Sequence, residues 1–64
     1  MKEQLIQLRT AICTGRAHGV IGHCIDKLDS RIEDGVRLLH VKYARNTISK
    51  ETFLHAIDNL IKYL

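Results

Sequence analysis

The sequence predicts an all-α fold: three antiparallel helices with a long central one, in a single domain spanning 1–64. Three observations carry this. The chain has 64 residues, no proline and four glycines, which favours uninterrupted helices over turn-rich β structure. Apolar residues recur every three or four positions, the period of an α-helix. Two short breaks divide that pattern into segments at about 2–14, 19–44 and 49–63.

In the first segment Met1, Leu5, Leu8 and Ile12 form one stripe, widened by Ile6 and Cys13. Gly15 stands at the stop position, since glycine enters the left-handed region without steric cost.

The second segment carries the longest pattern. Ile21, Ile25, Leu28, Ile32, Val36, Leu39 and Tyr43 are spaced 4, 3, 4, 4, 3 and 4, a heptad-like seam within an arc of about 80°. Read as one helix, it runs about 39 Å. The alternative is a break at Asp29-Ser30, where Ser30-Arg31-Ile32-Glu33 fits a capping box. The seam stays in phase across that point, so the reading is one continuous helix. Gly22 and Gly35 then imply another helix packed closely against the missing side chains.

The third segment follows Asn46, a left-handed stop, and Ser49, an N-cap whose hydroxyl can accept from a first-turn amide. Ile48 just before the cap and Phe53 inside the helix form a hydrophobic staple. Glu51 and Lys62 complement the helix dipole. Phe53, Ile57, Leu60, Ile61 and Leu64 make the apolar stripe.

Ile48-Ser49-Lys50-Glu51-Thr52-Phe53, followed by Ile57, Leu60 and Ile61, resembles the I-[ST]-x-E-E-F start of the second helix in short C-terminal helical-hairpin (SHOCT-type) modules. The resemblance covers residues 36–64. Asn46 and Thr47 stand where the family has a glycine, and Thr52 replaces the second acidic residue. The resemblance implies an oligomerisation or interaction hairpin without catalytic residues.

Composition narrows the function. Hydrophobic residues make up 45% and charged residues 27%, which fits a globular domain. Neither a membrane-spanning run nor a signal-peptide pattern is present, so the expected setting is the cytoplasm, in a bacterium or phage. So short a chain leaves little wall to enclose a pocket, which speaks against an enzyme. Cys13, His18, His23 and Cys24 share one window, but their spacing lacks the paired clusters of a zinc site, and adjacent His23 and Cys24 point about 100° apart. The cysteines read as small core hydrophobes, with His18 and His23 solvated or capping. A thiolate activated by His23 or His40 would lack an orienting carboxylate. Gly19-Val20-Ile21-Gly22 is too short for a phosphate loop. No catalytic residue, metal or cofactor is predicted.

Partners are predicted instead. Area scaling makes a monomer of this mass marginal, so a second copy would help. The seam Ile21, Ile25, Leu28, Ile32, Val36, Leu39 and Tyr43 is the candidate homodimer contact, the alternative being that the chain's own first and third helices cover it. Lys27, Arg31, Lys42 and Arg45 would flank it on one side, with Asp34 as an exception beside them, and Asp26, Asp29 and Glu33 on the other, as in a parallel coiled coil. The basic flank, with off-stripe Leu38 and Leu54, gives the contact candidates for a partner protein or for phosphate; Val41 and Tyr63 also lie off the stripes. The net charge of +3 permits nucleic acid without requiring it. The sequence therefore reads as a small non-catalytic regulatory or interaction protein that binds a protein partner as a homodimer. A small DNA-binding transcriptional regulator is the alternative.

Overall fold

A computed structural model describes residues 2–64 and is helical throughout, with four helices: α1 (Lys2–Cys13), α2 (His18–Asp26), α3 (Ser30–Ala44) and α4 (Lys50–Tyr63). Met1, at the head of the first predicted stripe, lies outside the described residues. α1 packs on α2 and α4, and α3 packs on the same two helices, so the four enclose one core. Among the described residues no helix is long and apolar enough to cross a membrane.

The main correction concerns the middle of the chain. The expected central helix over 19–44 is two helices, α2 and α3, joined at 27–29. The amides of Lys27 and Leu28 bond to the carbonyls of Cys24 and Ile25 three residues back, which closes α2. Asp29 is extended (φ −60°, ψ 138°) and caps α3 by accepting from the Arg31 amide at 2.9 Å. The cap is therefore Asp29, one residue before the Ser30 of the capping-box pattern. Burial is the physical reason for the break. A straight helix of about 39 Å would overrun a molecule whose longest extent is 27 Å. Folding the seam on itself puts Ile21 and Ile25 of α2, Leu28 of the turn and Val36 of α3 into one core.

The other boundaries follow the sequence closely. Gly15 is left-handed (φ 72°), and the amides of Gly15 and Arg16 return to the carbonyls of Ile12 and Ala11. Asn46 (φ 60°) repeats that arrangement at the end of α3, where Asn46 and Thr47 donate to Tyr43 and Lys42. Both are Schellman closures, which satisfy the last carbonyls of a helix. Ser49 caps α4 by accepting from the Thr52 amide at 3.1 Å.

Leu5, Leu8, Ile12, Ile21, Ile25, Val36, Phe53 and Ile57 are fully or almost fully buried, with Ala11 and Leu28 close behind. Ile48 packs partly buried against this core, as the staple with Phe53 predicts. In the last stripe Leu60 and Ile61 are half-buried and Leu64 is exposed. The close-packing explanation for Gly22 and Gly35 does not hold: a Cβ at either would meet nothing within 4 Å.

Candidate functional site

The break at 27–29 redistributes the predicted contact residues. Lys27 is the C-cap of α2 and leaves the basic flank. Arg31, Leu38 and Lys42 on α3 and Arg45 at its C-cap fall within an arc of about 60° and are exposed. Leu38 is 56% exposed, and Val41 lies beside it at 39%. Leu54 does not join them. It sits half-buried on α4 and packs against the core.

The acidic flank is used within the chain. The Asp29 carboxylate that caps α3 also binds the Arg31 guanidinium at 3.0 Å. The Arg31 hydrogen bonds hold the Asp29 carboxyl below the usual carboxylate range. Asp26 and Glu33 both engage Arg37, at 2.6 and 3.4 Å. These bonds raise the Arg37 guanidinium above its ordinary value. Arg37 ties α2 to α3 through Asp26, a role unassigned from the sequence although Glu33 and Arg37 have the i,i+4 spacing of a helix ion pair. Arg9 and Asp58 form a further ion pair between α1 and α4. The acidic flank expected to face a second copy is thus engaged inside one, whereas among the described residues only Arg31 of the basic flank is paired.

The seam residues divide in the same way. Ile21, Ile25, Leu28 and Val36 are buried in the chain's own core and offer no surface to a second copy in this conformation. Ile32, Leu39 and Tyr43 are half-buried. Ile32 and Leu39 border a groove between α3 and α4 of about 470 Å³. Gly35 and Val36 of α3, and Ala56, Asn59, Leu60 and Tyr63 of α4, complete its lining, with Arg31 at one end. A neighbouring hollow shares Arg31 and Ile32 and reaches Leu64. Tyr63 is 82% exposed and Leu64 58%, so the end of α4 extends the apolar surface. The α1–α2 face has a second hollow beside Ile6 and Val20, but Gln7, Thr10, Thr14 and Arg16 make it more polar.

Cys13 is exposed and Cys24 half-buried, and both are free. The expectation that both are core residues is corrected for Cys13, which ends α1 on its solvent side, next to the buried Ile12. Among the described residues no three His, Cys, Asp or Glu side chains converge as metal ligands. His18 lies 3.2 Å from His40, Nδ1 to Nε2, rather than being merely solvated. Tyr43 and Phe53 flank that pair, with ring centroids 5.3 Å apart. No family model matches the chain, and no curated protein or solved structure is significantly similar to it.

The groove could not be read from the sequence because half its lining comes from α4 and only the turn at 27–29 orients α3 towards it. Gly35 and Ala56, the two small residues on facing helices, were its only legible trace.

Proposed function

We propose that this chain is a non-catalytic protein-interaction module that self-associates through the α3–α4 groove. The groove itself is the observation that supports this reading. Small Gly35 and Ala56 line it together with bulkier Ile32, Leu39, Leu60 and Tyr63. The open space over Gly35 lets another helix backbone approach closely. A second copy offers the same apolar face and its own protruding Tyr63, so an isologous pairing buries both grooves at once. The resemblance of residues 36–64 to interaction hairpins falls on this same α3–turn–α4 unit.

The exposed face of Arg31, Leu38, Lys42 and Arg45 is then left for a partner protein with an acidic surface. The same cations support the nucleic-acid reading, since Lys42 and Arg45 stand exposed at the end of α3.

Sedimentation equilibrium over a hundredfold concentration range tests self-association. The expected result is a species of twice the 7.3 kDa chain mass at micromolar concentration. Gly35→Leu should fill the groove from within, retain the helical circular dichroism and sediment as a monomer. A wild-type chain that stays at 7.3 kDa throughout would overturn the proposal. Salt-sensitive retardation of duplex DNA would favour the nucleic-acid reading of the basic face.

A further inference from the structure

His18 opens α2 and His40 lies in the second half of α3. Their facing nitrogens are 3.2 Å apart and their ring centroids 5.4 Å. At that separation one nitrogen carries the shared hydrogen and the other accepts it. Tyr43 meets His18 edge-on at 5.6 Å, and Phe53 of α4 stacks on His40 at 6.3 Å. Tyr43 and Phe53 border the two rings, while His18 keeps one side open to water. The His18–His40 contact joins α2 to α3 at the start of α2, while Asp26–Arg37 joins them at its end.

We propose that the His18–His40 contact is a proton-operated latch between α2 and α3. The neutral pair and the singly protonated pair both keep it closed, because one ring can still accept. A second proton places N–H groups on both facing nitrogens. Two cations then meet at contact distance, at the positive end of the α2 dipole, and the latch opens.

The charged surroundings reinforce this. Arg37 of α3 adds a further cation acting on His40, and is itself held by Asp26 of α2 and Glu33 of α3. Tyr43 is the phenol beside His18, and α4 contributes the uncharged Phe53. Among the described residues, the charged groups acting on His40 are the His18 imidazole and the Arg37 guanidinium. Burial pushes the His40 imidazole below its ordinary value of 6.5, with His18 and Arg37 acting in the same direction. The folded chain therefore binds this proton less readily than the unfolded chain. Stability is full above the unfolded value and is lost as pH falls through the lower folded value.

Thermal unfolding followed by circular dichroism at about pH 7.5 and about pH 5 tests the latch on the full chain, on either side of the histidine range. In His18→Gln the carboxamide oxygen accepts from a protonated His40, so the contact survives at both pH values. His18 is exposed, and this substitution leaves the core intact. The wild-type Tm is expected to fall by about 5 °C more than that of His18→Gln. The His40 ring resonance, assigned by its loss in His40→Gln, should titrate below the ordinary histidine value. Parallel pH dependence in wild type and His18→Gln, or a His40 resonance titrating at the ordinary value, would overturn the latch.

Discussion

The Asp29 carboxylate accepts the Arg31 backbone amide at 2.9 Å and holds the Arg31 guanidinium at 3.0 Å. One side chain thereby caps the start of α3 at the turn from α2. Asp29→Ala removes both contacts and should lower Tm by about 5 °C. Asn at this position can still cap, so Asp29→Asn should lie much nearer the wild type, because the pair it breaks is with an exposed arginine. Equal losses in the two variants would assign the effect to the ion pair rather than the cap.

Phe53 is fully buried and touches the aromatic ring of Tyr43, while Ile48 packs beside the same core. Phe53→Ala should cost about 3 to 4 kcal/mol through the cavity it leaves. That is a large share of the stability of so small a domain, so the variant should be largely unfolded at room temperature. Urea titration of Phe53→Leu, expected to stay folded with a lower midpoint, separates a cavity effect from loss of the staple.

The helix ends were legible because each is set by one residue's local chemistry. Gly15, Asn46 and Ser49 close or open helices where their side chains, or the lack of one, predict. The turn at 27–29 was not, since Ile25, Leu28 and Ile32 keep helical phase across it and periodicity is blind to a change of axis. Asp29 and Ser30 both carry capping signals, and only the need to bury Ile21 and Val36 together decides that one is used. The site suffered most from this. Once α2 and α3 separate, Lys27 leaves the basic flank, Asp29 pairs with Arg31 at the surface, and Ile32 and Leu39 line the groove rather than a seam.

The glycines should respond in opposite directions. Gly22 and Gly35 are helical, with open space where a Cβ would stand. Replacing either with alanine should stabilise the chain by up to about 1 kcal/mol by raising helix propensity. Gly15 is also uncrowded but left-handed at φ 72°. Gly15→Ala should therefore destabilise by about 1 kcal/mol through backbone strain alone. Chemical denaturation of the three variants checks the contrast.

The two thiols are separable by exposure. Cys13 at the surface should react with a thiol reagent in the folded state well before half-buried Cys24. The double variant Cys13→Ala with Cys24→Ala should remain folded, and a chelator should leave the helical circular dichroism of the wild type unchanged. Loss of helicity on chelation would point to a structural metal, whose binding free energy contributes directly to folding.

Ile32 and Val36 stand one turn apart on α3 and should tolerate charge very differently. Val36 is 1% exposed and shares the core with Ile21 and Ile57. Val36→Asp would bury an unpaired carboxylate and should abolish the fold. Ile32 is half-buried at the rim of the α3–α4 groove, where a carboxylate keeps much of its water. Ile32→Asp should cost the monomer only about 1 kcal/mol while putting like charges into the paired groove, so that association is lost and helicity kept. A continuous central helix pairing along its whole seam would make the two substitutions equally damaging. Circular dichroism and sedimentation of both variants at the same concentration distinguish these outcomes: a folded, monomeric Ile32→Asp beside an unfolded Val36→Asp supports the groove as the contact surface, and an unfolded Ile32→Asp removes it.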